Sequence, residues 1–137
     1  LATAHTDEER ELVTRLGAKT TVDHTGDLLA QVRETAPTGV DVVVHLAGDL
    51  SVVEVVSDGG RFVSTLIMSP EQVPTDTVVV IPIYANPTPE VLDRCAASYA
   101  SGDTTVVVQH VYPLEQALDA FGQFAKGTLG KIVISTD

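Results

Sequence analysis

Cysteine and basic side chains are scarce in this 137-residue chain, and long apolar runs are lacking. The single cysteine, Cys95, excludes an internal disulfide and a cysteine-rich zinc centre. Eight Lys and Arg stand against 19 Asp and Glu, a formal charge of −11. Nucleic acid and an anionic membrane surface both demand a positive face, so neither is expected as a partner. No apolar stretch approaches the roughly 18–20 residues of a membrane span. A reduced, cytoplasmic setting is the expected one. Internal repeats and low-complexity tracts are also lacking. The chain opens on Leu1, with no initiator methionine and no glycine-rich turn ahead of its first helical pattern. It reads as starting inside a βαβ unit.

What is present describes a folded domain: 44% apolar and 20% charged residues on a chain long enough for a core. Apolar, β-branched runs alternate with amphipathic segments. The runs at Leu1–His5, Thr20–Asp23, Val40–Leu46, Arg61–Leu66, Thr77–Tyr84, Thr105–Tyr112 and Lys131–Ser135 read as strands. Val42-Val43-Val44 and Val78-Val79-Val80-Ile81 are continuous rather than alternating, the pattern of strands covered on both faces. The expected class is α/β, a parallel sheet with helices on either side.

The helices carry capping signals. Thr6 and Glu9 have capping-box spacing, Leu12, Val13 and Leu16 share a face, and Gly17 suits a left-handed cap. Leu28, Leu29, Val32 and Ala36 line a second helix that Pro37 ends, and Leu50–Ser57 reads as a short third. Thr88-Pro89 opens a helix whose apolar stripe is Val91, Leu92, Cys95, Ala96 and Tyr99; Cys95 is read there as a packing residue. Pro113 opens a last helix with Leu114, Ala117, Leu118, Phe121 and Phe124 inward. The irregular stretch Ile67–Asp76, with Pro70 and Pro74, reads as a surface loop and a candidate lid.

Several segments, in this order and spacing, resemble the medium-chain dehydrogenase/reductase superfamily of zinc-type alcohol dehydrogenases and quinone oxidoreductases. The strand Leu1–His5 with the helix from Thr6 to Gly17 resembles the second strand and helix of its nucleotide domain. Gly39-Val-Asp41-Val-Val-Val-His45-Leu-Ala-Gly48 is similar to the fourth strand and its turn, and Asp58-Gly59-Gly60-Arg61 to the turn into the fifth. Tyr112-Pro-Leu-Glu115 through Ala120, then Gly130-Lys131-Ile-Val-Ile134, resemble the closing helix and strand. The resemblance implies a Rossmann-like, doubly wound sheet lacking its first strand and glycine-rich turn. It also implies two parts: residues 1–102 as a truncated nucleotide-binding domain, and 103–137 as a closing segment that packs with a catalytic domain.

In open parallel sheets the ligand lies outside the carboxyl ends of the strands. By resemblance, His5, Thr6 and Arg10 meet the adenosine ribose and its 2′-phosphate, and Asp23 and His24 the adenine. Leu46, Ala47, Gly48, Thr65, Leu66, Tyr84 and Asn86 run toward the ribose and nicotinamide. The implied cofactor is NADP(H) rather than NAD(H), because His5 rather than an acidic residue ends the first strand. Glu9, where NADP-using members carry lysine, opposes a 2′-phosphate; Arg10 or Arg61 is expected to compensate. The capping box alone accounts for Glu9, and a solvated helix surface accounts for Arg10. His45 stands where the family often has aspartate, and reads equally as a core histidine or a cofactor contact. His24 and His110 have no sequence-spaced partners for a metal, so zinc is not expected on this segment. Catalytic residues and any zinc ligands are expected upstream.

The expected role is therefore a fragment of an NAD(P)-dependent oxidoreductase, inactive alone. Its parent transfers hydride between nicotinamide and a carbonyl or conjugated C=C, with the quinone oxidoreductase/enoyl reductase branch preferred. The alternatives are an enoyl-reductase module excised from a polyketide synthase, and a non-catalytic nucleotide-binding or oligomerisation module. In the implied strand order 3-2-1-4-5-6 the absent strand is central. Its two neighbours would each expose unpaired backbone groups, at roughly 1–3 kcal/mol each. A homodimer, or strand exchange with a second copy, is the expected remedy. The small-molecule substrate is expected to bind through the catalytic domain.

Overall fold

Thr6 stops the first strand and starts the first helix: its hydroxyl accepts from the Glu9 amide while the Glu9 carboxylate accepts from the Thr6 amide. The capping box thus fixes where β1 (Ala2–Thr3) hands over to α1 (Asp7–Arg15). The computed structural model describes residues 1–136. After α1 come β2 (Thr21–Val22), α2 (Leu28–Thr35), β3 (Val40–His45), a 3-10 segment (Leu50–Val55), β4 (Val56–Ser64), a 3-10 turn (Pro70–Gln72) and β5 (Val79–Pro82). These form one compact unit, Leu1–Ala85. The second, Asn86–Asp137, holds α3 (Pro89–Ala100), β6 (Val108–Pro113), a 3-10 turn (Leu114–Gln116), α4 (Ala117–Phe124) and β7 (Lys131–Ser135).

Every strand pair is parallel. β1 pairs with β2, β4 lies between β3 and β5, and β6 pairs with β7. Among the described residues no ladder joins β1 to β3, the two strands that the expected order sets one strand apart. The core of the first unit lies on the Val43 side of the three-stranded sheet. Phe62, Ile67, Val73 and Val56 form one buried cluster, and Val22, Val32 and Val55 a second, with Val43 and Val52 packed against both.

Several expectations are corrected. The 67–76 stretch is no lid, because Ile67 and Val73 are 1% and 3% exposed against Phe62 and anchor it to the core. The Val42–Val44 run is not covered on both faces: Val42 and Val44 are exposed, opposite the layer formed by α2 and the 3-10 segment. The segment from Leu50 winds as a 3-10 helix only to Val55, and Val56 already belongs to β4. Asp58-Gly59-Gly60 is accordingly a bulge inside β4, where the pairing with β3 jumps from Val40–Val56 to Val42–Arg61. Pro113 ends β6 and also caps the last helical stretch, which begins as the 3-10 turn Leu114–Gln116 and continues as α4. No side chain of α3 is buried and Cys95 is exposed, because the helix packed on β6 and β7 is α4. Leu16, Leu118, Phe121 and Phe124 are exposed as well. The compact units divide between Ala85 and Asn86, which puts α3 in the same unit as β6 and β7.

At the sheet edge, the Ile83 amide donates to the Ser64 carbonyl at 2.8 Å, so β5 points alternate amides inward. The Pro82 nitrogen faces the free edge, where a proline removes one donor from any added strand.

Candidate functional site

The register of β1 on β2 assembles the first group of candidate residues. Thr3 lies opposite Val22, so two residues further on His5 comes beside His24. Their rings meet edge to face with centroids 4.9 Å apart. Glu9, one turn into α1, reaches back: its Oε2 accepts from the His5 amide at 2.8 Å and lies 3.0 Å from His5 Nδ1. The His5 amide, ahead of the Thr6 amide and the His5 ring, holds the Glu9 carboxyl below its ordinary pKa. Arg10 pairs with Asp7 at 3.1 Å and approaches Asp23 at 3.9 Å. The Asp23 carboxyl is also lowered, chiefly by the Thr25 hydroxyl and amide, with a smaller contribution from Arg10. His5, Thr6, Arg10, Asp23 and His24 therefore form one cluster at the carboxyl ends of β1 and β2.

A second group forms where β3 and β4 end. Leu46, Ala47, Gly48, Thr65 and Leu66 are all exposed there, and the Thr65 amide donates to the His45 carbonyl. Gly48 has φ +93° and open space where a side chain would begin. Beneath them His45 is buried, 3% exposed, against the Phe62 ring. His45 Nδ1 lies 2.9 Å from Ser64 Oγ, which also accepts from the Leu66 amide at 3.1 Å. Either partner of the His45–Ser64 contact can donate, according to the imidazole tautomer. Among the described residues His45 Nε2 is buried without a hydrogen-bond partner. Such an orphan costs about 1–3 kcal/mol unless something meets it.

Tyr84 is committed elsewhere, its hydroxyl donating to the Met68 carbonyl. Asn86 opens the second unit, where its carbonyl accepts from the Thr88 amide at 2.9 Å.

Residues 16–134 match the family model described as zinc-binding dehydrogenase. The chain belongs to that family. No curated protein matches it in sequence. Among solved structures it is similar to the quinone oxidoreductase from Coxiella burnetii, with 19% identity, a TM-score of 0.82, and coverage of 98% of this chain and 44% of that one. It is similar to an NAD-dependent alcohol dehydrogenase, with 24% identity, a TM-score of 0.80, and coverage of 98% and 43%. The CurK enoyl reductase is a third, with 23% identity, a TM-score of 0.77, and coverage of 98% and 46%. The chain thus spans less than half the length of these relatives. At such identities the likeness shows the fold, which is the Rossmann-like α/β arrangement of parallel strands and helices.

Two features of this zinc-binding dehydrogenase segment escape a reading by sequence spacing. One is the proximity of His24 to His5 and Glu9: the ligand atoms of all three lie within 4.8 Å of one another. The 19-residue gap carries no motif, but the β1–β2 register would have found the pair. The other is Ser64, a fully buried hydroxyl under His45. Ser64→Ala leaves His45 Nδ1 and the Leu66 amide both without this oxygen. A loss of about 1–3 kcal/mol in unfolding free energy is expected by urea titration; no change would mean the pair contributes nothing to the folded state.

Proposed function

We propose that this chain is the coenzyme-binding part of an NAD(P)-dependent oxidoreductase. When bound, the nicotinamide coenzyme accepts or donates hydride, and the whole enzyme would exchange it with a carbonyl or a conjugated C=C. The observation that carries this reading is the gathering of His5, Thr6, Arg10, Asp23 and His24 at adjoining carboxyl strand ends, in a chain of the zinc-binding dehydrogenase family. Strand ends of this kind are where open α/β sheets hold ligands.

The residues present fit the two ends of such a coenzyme. His5, Thr6 and Arg10 would hold the adenosine ribose with its 2′-phosphate, and Asp23 and His24 the adenine. The orphaned Nε2 of His45, beside Leu46–Gly48 at the end of β3, suits a polar group at the nicotinamide end. The pyrophosphate has no cradle here, since no G-x-G-x-x-G pattern occurs in the sequence.

NADP(H) is favoured over NAD(H) because β1 ends at His5, with no carboxylate of its own for a ribose diol. Glu9 weakens that preference less than its charge suggests. Its carboxylate is turned onto the His5 and Thr6 amides, and Arg10 stands free of it, between Asp7 and Asp23. The substrate would enter through a catalytic domain, and the soluble enzyme would work in the cytoplasm. A second copy would pair along a sheet edge, as a homodimer or by strand exchange.

A thermal-shift titration with NADPH and NADH tests the coenzyme reading. Ligand at about 100 times its dissociation constant adds roughly 2.7 kcal/mol. Stabilisation by NADPH, and less by NADH, is the expected result; equal shifts would overturn the NADP(H) preference, and none with either would overturn the reading for this chain.

A further inference from the structure

We propose that His5, Glu9 and His24 form a binding site for a divalent transition-metal ion at the carboxyl ends of β1 and β2. Three segments bring the donors together: His5 stands two residues past β1, His24 two residues past β2, and Glu9 in the first turn of α1. Their ligand atoms lie within 4.8 Å of one another. Tetrahedral ligands at the usual zinc distances of about 2.0–2.1 Å stand about 3.4 Å apart. The His5 Nδ1–Glu9 Oε2 contact, at 3.0 Å, lies inside that spacing and would open by roughly 0.4 Å to admit an ion. His24 is exposed and its ring already lies edge-on to that of His5, so the third donor stands beside the other two.

The donor set selects the metal. Two imidazoles and one carboxylate suit zinc, nickel, cobalt or copper, whereas magnesium and calcium prefer an all-oxygen shell. Glu9 is held before any ion arrives, because the His5 and Thr6 amides both donate to its Oε2. Such outer contacts orient a ligand and strengthen its metal bond. The nearest cation, Arg10, is balanced by Asp7 and Asp23, and the chain as a whole carries −11. A cation is therefore drawn toward this surface rather than repelled. With one cysteine in the chain, a three-donor site of this kind leaves one position for water or an added ligand. The site differs from the zinc that the family resemblance places upstream, since it is built only from residues of the nucleotide-binding portion.

Isothermal titration calorimetry of the 137-residue chain with zinc chloride, and separately with magnesium chloride, tests this without any coenzyme. The site shares His5 and His24 with the proposed adenosine site, and a readout without coenzyme keeps its failure distinguishable from failure of that reading. One zinc per chain and no magnesium binding are expected. Loss of outer contacts alone costs about 10–100-fold in metal affinity, so His24→Ala and Glu9→Gln are each expected to weaken zinc at least tenfold. Glu9→Gln keeps a side-chain oxygen for the cap, and circular dichroism of that variant separates loss of metal from loss of fold. In NMR spectra of the wild-type chain, zinc should shift the His5 and His24 ring signals and leave His110 in place. No zinc binding, or binding that survives both substitutions unchanged, overturns the proposal.

Discussion

Phe62→Ala is expected to lower the unfolding free energy by about 3–5 kcal/mol, the range for a fully buried aromatic cut to a methyl. Phe62 is 0% exposed at the middle of β4, the strand shared by both ladders of the three-stranded sheet. It packs with Val56, Ile67 and Val73, and its ring lies against His45. Its removal leaves a cavity that a sheet hydrogen-bonded on both edges of β4 cannot close. A small domain is stable by about 5–15 kcal/mol in all, so the variant is expected near the limit of folding. Urea unfolding followed by far-ultraviolet circular dichroism gives the number. A loss below about 1 kcal/mol would mean that this sheet does not pack as described.

The second large effect is expected at Gly39, which leads α2 into β3. Its φ is +90°, and an added Cβ would stand 2.7 Å from the Ser57 nitrogen and 2.9 Å from the Val55 carbonyl oxygen. Both obstacles are backbone atoms of the neighbouring chain segment and do not yield by side-chain rotation. Left-handed backbone costs a non-glycine residue roughly 1–2 kcal/mol, and overpacking adds about 1–3 kcal/mol. Gly39→Ala is therefore expected to cost about 2–5 kcal/mol. Gly48→Ala is the matched control, since Gly48 has φ +93° but nothing within 4 Å of the added carbon. It should show only the conformational part, about 1–2 kcal/mol. Equal losses at the two positions would mean that the contact with Ser57 and Val55 is not formed.

These two positions also show what local pattern reveals and what it does not. The Thr6/Glu9 capping box, the Thr88-Pro89 helix start and the β7 run are decided by neighbours in sequence, and each lies where the residues indicate. Periodicity says which side chains share a face; it does not say that anything covers that face. Val42 and Val44, and Leu92, Cys95 and Tyr99 on α3, carry the pattern of covered residues and are nonetheless exposed. The 67–76 stretch misleads in the opposite sense. Its prolines signal a loop, yet Ile67 and Val73 are core residues contributed from irregular backbone, which carries no period.

The site was legible to the same degree. Strand ends can be located from apolar runs, and the residues there follow once the sheet is taken as parallel. His5 and His24 come together only through register, and Ser64 meets His45 only because β3 and β4 pair side by side. Such contacts depend on alignment between strands, which spacing along one chain does not encode. The charge balance at Arg10 is likewise a tertiary fact: Asp7 is a helical neighbour, but Asp23 arrives from the residue just past β2.

The central claim is that the carboxyl ends of β1 and β2 hold the adenosine end of a nicotinamide coenzyme. Amide-resolved NMR of the chain during titration with NADPH tests it most directly. The account predicts saturable shifts concentrated at His5, Thr6, Arg10, Asp23 and His24. Absence of saturable shifts at those five residues, or shifts confined to the second unit, would contradict it.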